Sequence, residues 1–423
     1  MHEAKPQADS PAQRLGISEG RLLFLVSAVQ FVNILDFMMV MPLGPDFAKD
    51  LGIPVTSLGL IGGSYTAAAA ASGIVCSRFL DRFDRRSALA AMMLGLVIGT
   101  AFGGFAHDLT TLVAARVLAG IFGGPATSLS LSIIADVIPP ERRGRALGTV
   151  MGAFSAASVL GLPASLELAR HGSWRSPFFA VAAMGLVVAA SALFMMPKLT
   201  LHLAELRATV QRPMWIFVQE PLVVVSLAAT ATVMFAAFSV IPNISTYIQH
   251  NMHYPREDLS VLYLAGGGVS FITMRLIGRY VDSLGAPRVS ALGTLFFVGI
   301  LFVCFVIEWR AVPVIAFFVV FMSAMAVRNV SMSTLTSRVP APYERARYMS
   351  LQSAVQHIAS ALGAFVSSLI LTERPDHSLR GMPTIASVAI GLALLLPLLL
   401  AQTERLVRAR DGQAAAAPAA TQT

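Results

Sequence analysis

The fold class this sequence predicts is an all-α membrane protein, with twelve transmembrane helices in two pseudo-symmetric six-helix bundles. Three observations carry it. Hydrophobic residues make up 56% of the chain and charged residues 13%, with a mean hydropathy of +0.70; that is too little polar material to wrap the apolar content as a water-soluble globule. Apolar runs recur at the roughly 20-residue length that crosses about 30 Å of hydrocarbon. Residues of the first half also recur in the second at one constant offset.

The spans read as 22–44, 57–77, 87–106, 110–136, 146–168, 177–196, 221–247, 259–279, 288–307, 311–336, 348–371 and 383–402. Runs such as 385–401 are continuously apolar where a barrel strand would alternate, so helices are the reading. The tail 1–21 is polar, and no small-residue cleavage site follows a short apolar core, so the first span is expected to be retained. With the amino terminus in the cytoplasm, most of the 31 Lys and Arg residues fall on the inner face, including Arg14, Arg78, Arg143, Arg207 and Arg345. That bias predicts a plasma membrane protein of the bacterial inner-membrane kind with both termini cytoplasmic. The net charge of +8 then orients the chain and implies no nucleic acid partner. Cys76 and Cys304 lie within spans without metal-ligand spacing, and neither a metal nor a cofactor is expected.

An ionisable residue inside a span costs at least about 2.5 kcal/mol on insertion scales, so each one is a functional candidate. In span one Gln30, Asn33 and Asp36 recur every three residues and share a helical face. Span three carries Gly95, Gly99 and Gly103, small residues that let helix backbones approach. Span four carries Arg116. Counting from the outer ends of their spans at 1.5 Å per residue, Asp36 and Arg116 lie at matching depth and can pair. Asp36 is the proton-site candidate: its carboxyl would be protonated in a closed apolar cavity and ionised when paired or hydrated, which couples proton movement to conformation. A permanent structural ion pair is the other reading.

Spans six and seven are separated by a polar stretch, 197–220, with Lys198, His202, Glu205 and Arg207, expected as a cytoplasmic linker. The bundles are then 22–196 and 221–403. The offset pairs Pro54 with Pro255, Leu58 with Leu259, Asp81 with Asp282 and Pro139 with Pro340, the mark of parallel repeats with a solute site between them near the midplane. Span seven places Asn243 and Tyr247 beside Pro242, a kink position. Gly266 to Gly268 in span eight have no preceding strand and no following Lys-Ser/Thr, which excludes a phosphate cradle. In span ten Arg328 shares a face with the position equivalent to Arg116 and is expected to point at the cavity. It suits an anionic or carboxylate-bearing solute, a contact to backbone carbonyls, or a gating role. Span eleven adds Gln352 and Gln356 at one-turn spacing and His357, either a proton carrier or a helix-contact histidine. Residues 404–423 read as a disordered cytoplasmic tail.

The loop after span two, Ser77-Arg78-Phe79-Leu80-Asp81-Arg82-Phe83-Asp84-Arg85-Arg86, resembles the cytoplasmic signature of the major facilitator superfamily, with Ser77 and Asp84 in place of two glycines. Asp282, Gly285 and Arg288 form its counterpart in the second half. Arg116, Gly120 and Gly123 are similar to the family's fourth-helix motif. Asp136 to Arg145, including Arg142, is similar to the loop that follows it in twelve-span drug:proton antiporters. Gly152, Gly161 and Pro163 resemble the span-five antiporter motif, with Ala164 and Ser165 where a small pair usually includes glycine. The resemblance implies alternating access and a cytoplasmic gate built from Asp81, Arg82, Arg85, Arg86, Asp136, Arg142, Asp282 and Arg288.

The expected function is proton-coupled efflux of a small organic or amphipathic molecule, anionic ones included, by a monomer whose partners are that solute, protons and the bilayer. Proton symport or facilitated uptake of a polar or acidic metabolite is the alternative, and a non-transporting membrane sensor is the alternative of another class. No paired carboxylates, metal-spaced His/Cys set or nucleophile elbow points to an enzyme.

Overall fold

The computed structural model describes residues 17–76, 83–199, 217–309, 311–340 and 344–416. Twelve helical segments among them are long and apolar enough to cross a membrane. Large apolar side chains face outward at their surfaces: Phe194 is 82% exposed, Leu398 67% and Leu295 66%. Such a surface is stable against lipid and not against water.

Chain contacts divide the protein into two units, residues 1–39 with 67–210 and residues 40–66 with 211–423. The first contains α1 (Glu19–Met39), the second half of α3 (Leu58–Cys76), α4 (Arg85–Gly104), α5 (Leu109–Val137), α6 (Pro140–Ala156), α7 (Leu162–His171) and α8 (Arg175–Met195). A π-turn, Ala157–Gly161, joins α6 to α7. Helix α4 packs along α5 and α8, and α1 along α6 and α8. The glycine stripe of α4 makes this possible: a Cβ on Gly99 would stand 2.5 Å from the Ala119 backbone nitrogen of α5. The helix starts are chemically set. Asp84 accepts from the Arg86 amide at the start of α4, and Asp108 forms a reciprocal capping box with Thr111 at the start of α5.

The second unit contains α2 (Gly44–Leu51), a 3₁₀ turn (Val55–Ser57), the first half of α3, α9 (Pro221–Phe238), α10 (Ile241–Thr246), α11 (Leu259–Leu284), α12 (Ala286–Leu301), α13 (Val314–Thr336), α14 (Arg345–Ile370) and α15 (Met382–Ala416). Helix α9 packs on α14 and α15, α12 on α13 and α15, and α11 on α13. Val233, Val289, Met332, Leu335, Leu396 and Leu400 form one buried cluster between them. The offset repeat has a structural counterpart. Pro54 and Pro255 each precede a 3₁₀ turn, Val55–Ser57 and Arg256–Asp258, which feeds Leu58 or Leu259 at the start of a span.

Three features differ from the sequence expectation. Span one ends at Met39, and residues 44–51 form the separate helix α2, with Pro45 in its first turn and Gly52 left-handed at its end. The last helix continues past 402 to Ala416, with Glu404 and Arg408 paired one turn apart. After α14, Thr372–Glu373 and Leu379–Arg380 pair as a short antiparallel hairpin, β1 with β2.

Candidate functional site

The polar face of α1 is buried within the first unit: Gln30 is 1% exposed, Asn33 5% and Asp36 0%. Asn33 donates from Nδ2 to the Gly123 carbonyl of α5 at 2.7 Å. One turn farther along α1, Arg116 of α5 donates from Nη1 to both Asp36 carboxylate oxygens, at 3.1 and 3.0 Å, and from Nη2 to the Asp36 carbonyl at 3.3 Å. The guanidinium thus holds side chain and backbone of the same residue. The two residues read as able to pair are in contact. Gly161, at the end of the π-turn, leaves room for Leu35 beside it, since a Cβ there would lie 2.7 Å from Leu35 Cδ1.

Thr100 of α4 completes the group and was not anticipated. Its Oγ1 lies 2.7 Å from Asp36 Oδ1 and 2.8 Å from the Leu96 carbonyl. A hydroxyl has one proton to donate and two lone pairs. With Asp36 ionised, Thr100 donates to the carboxylate. With Asp36 neutral, the acid donates to Thr100, which turns its own proton to Leu96. The same geometry therefore serves both protonation states without moving a helix.

In the second unit the expected residues fall into separate places. Asn243 of α10 donates to Ser367 Oγ at 3.0 Å, and Tyr247 donates to the Cys304 carbonyl at 3.2 Å. Gln352 donates to Thr230 and Thr336 hydroxyls at 3.3 and 3.1 Å. Gln356 and His357 are partly buried. Arg328 is 1% exposed, and its guanidinium carbon lies 4.1 Å from the Phe297 ring centroid on α12. That ring contact had no signal in the sequence.

Of the gate residues, Asp81 and Arg82 lie outside the described residues. Arg85 donates from Nε to Asp136 at 3.1 Å, and Arg86 reaches the Met196 carbonyl at 3.4 Å. Arg142 pairs with Glu19 at 2.8 Å, a partner spacing did not reveal. Asp84, which replaces a motif glycine, accepts from the Leu199 amide at 2.6 Å and so ties the end of the sixth span to the start of the third. Asp282 and Arg288 are exposed, and no ion pair joins them among the described residues. Within the second unit, Asp46 and Arg256 form a two-pronged pair, with Nε at 2.9 and 3.1 Å from the carboxylate oxygens, and Glu373 accepts from the Val55 amide at 2.8 Å.

A family model described as Major Facilitator Superfamily matches residues 26–364 and 226–422. A chloramphenicol resistance protein of Streptomyces lividans is 25% identical over 386 residues, 89% of this chain and 95% of that protein. The inner membrane transport protein YdhP of Escherichia coli (strain K12) is 26% identical over 380 residues, 86% of this chain and 92% of that one. Among solved structures, a D-xylose-proton symporter superposes with a TM-score of 0.69 at 16% identity, covering 89% of this chain and 97% of its own. A bacterial homolog to the human lysosomal transporter Spinster gives 0.69 at 17%, covering 94% and 98%. At these identities the structural likeness speaks for the fold.

Proposed function

The chain belongs to the major facilitator superfamily of membrane transporters, and we propose that within it the chain exports small organic, amphipathic molecules in exchange for protons, by alternating access. The observation that carries the reading is the Asp36, Arg116 and Thr100 group. A carboxylate at 0% exposure with one cationic partner at 1% is costly to leave uncompensated, and the adjacent hydroxyl accommodates either protonation state. Protonation of Asp36 cancels the charge that holds Arg116, so proton binding and helix contacts in this unit are one equilibrium.

The direction of transport takes support from the relatives named for chloramphenicol and puromycin resistance. The altered pair Ala164-Ser165 beside Pro163 favours the second reading, proton-coupled uptake of a polar or acidic metabolite, because one carboxylate couples either direction. In both readings the protein lies in the bacterial inner membrane with both termini in the cytoplasm and works as a monomer. Arg85, Arg86, Asp136 and Arg142 serve as a cytoplasmic gate, with Asp81, Arg82, Asp282 and Arg288 as its remaining members.

The test is flux of chloramphenicol in proteoliposomes under an imposed pH gradient. Wild type moves the drug against its gradient in the direction opposite to protons, and Asp36→Asn retains exchange of drug for drug while losing the gradient-driven part. Flux that ignores the pH gradient in wild type, or survives Asp36→Asn unchanged, refutes the coupling assignment. Absence of any flux with chloramphenicol and with acidic metabolites alike would move the protein to the sensor class.

A further inference from the structure

We infer that the second unit contains a binding site for one small monovalent anionic group, a chloride ion or the carboxylate of a small acid, formed by Arg328 of α13 with Ser290 and Thr294 of α12. The site goes beyond the coupling reading and stands whether or not Asp36 carries the transported proton.

Arg328 is 1% exposed, and its Nε and Nη2 have no hydrogen-bond partner among the described residues. These two nitrogens are not an arbitrary pair. Their hydrogens lie side by side on one edge of the planar guanidinium and point the same way, the edge that grips a carboxylate or other anion with two parallel bonds. Phe297 covers one face of the group at 4.1 Å, and hydrogen bonds from the guanidinium run in its plane. A ring face compensates part of the cost of burying a cation and supplies no lone pair to an N–H.

The neighbouring helix provides the rest. Gly293 of α12 lets α13 come close, since a Cβ there would stand 2.7 Å from Val327 Cγ1 and 3.3 Å from Arg328 Cγ. Ser290, Gly293, Thr294 and Phe297 share the buried face of α12, and Gly293 and Phe297 both meet Arg328. Ser290 is 0% exposed and Thr294 2%, and both hydroxyls lack a hydrogen-bond partner among the described residues. Hydroxyls in membrane helices ordinarily bond the carbonyl one turn back, as Thr230 does to Ser226 and Ser331 to Val327. Two that do not, one turn apart on the buried α12 face whose Gly293 and Phe297 meet Arg328, are the donors we assign to the site together with the open guanidinium edge. No carboxylate pairs with Arg328 among the described residues, whereas Arg116 has Asp36. The shared chemistry is a single negative charge with lone pairs, small enough to fit between packed helices.

The experiment is thermal unfolding of the purified full-length protein in detergent at constant ionic strength, replacing sodium isethionate by sodium chloride or by sodium acetate. Wild type gains stability in a saturable way with at least one of the two. Chloride alone identifies a resident inorganic ion; acetate alone, or acetate competing with chloride, identifies the acid group of a solute. Arg328→Gln abolishes the saturable shift, and Ser290→Ala with Thr294→Val raises the midpoint concentration at least about tenfold, the weight of one or two hydrogen bonds to a charge. The double variant keeps the test decisive where Arg328→Gln fails to fold. Removing both members of the other pair, Asp36→Asn with Arg116→Met, keeps the anion response intact, which separates this site from the coupling site. A wild type that responds equally to all three salts, or variants that respond like wild type, overturn the proposal.

Discussion

The two units each bury one arginine among apolar helices and satisfy it in opposite ways. Arg116 meets the carboxylate and the carbonyl of Asp36, and that carboxylate in turn meets the Thr100 hydroxyl; Arg328 has an aromatic face and two nitrogens with no hydrogen-bond partner among the described residues. The first charge is balanced within the protein by Asp36. The second has no ion-pair partner among the described residues. The repeat in sequence has therefore been put to different electrostatic uses, although both halves share the same entry geometry at Pro54 and Pro255.

The sharpest way to break this comparison is to replace each arginine by methionine. Arg116→Met leaves Asp36 as an uncompensated buried charge and should cost about 3–5 kcal/mol of stability, read by denaturant or thermal unfolding in detergent. Arg328→Met removes an uncompensated charge instead, and in isethionate buffer should cost nothing or gain about 1–3 kcal/mol. Losses of equal size in both would mean that Arg328 has a protein partner of the same quality as Asp36.

Thr100→Val probes the fine structure of the paired site. It keeps the volume and removes one hydrogen bond to a carboxylate that retains Arg116, so a loss of about 1 kcal/mol is expected. The smallest effect lies at the entrance of the helix that carries Arg116. The amide and hydroxyl of Thr111 hold the Asp108 carboxyl below its ordinary value, so the cap contributes fully above that value and is lost as pH falls through the lowered one. Amide protection in the first turn of α5, relative to the intrinsic exchange rate at each pH, should fall below about pH 4 in wild type and be low at all pH values in Asp108→Ala.

Much of this was legible in the sequence, for reasons that can be named. Hydropathy alone places twelve spans, because lipid forces every backbone group into a helix. The fixed rise per residue brings Asp36 and Arg116 to one depth before any contact is known. Thr100 was not legible, because a threonine in a span usually bonds its own helix, as Thr232 does to Ala228, and nothing local distinguishes one that also meets an acid. The Asp46 and Arg256 pair joins residues far apart in the chain on short polar segments with no periodicity. For Arg328, helical phase gave a shared face with the position equivalent to Arg116, and packing supplied what phase does not contain: Gly293 admits the side chain against α12, and Phe297 receives it.

In the proposed cycle Asp36 changes protonation state and Arg328 does not. Infrared difference spectroscopy on the purified protein, recorded as pH is lowered with chloramphenicol present, reads the stretch of a protonated carboxyl group directly. The account predicts a carboxylic acid band that appears in wild type and is missing in Asp36→Asn. A band identical in both, or a wild type in which Asp36 stays ionised wherever the protein remains folded, would make Asp36 and Arg116 a permanent structural pair and contradict it.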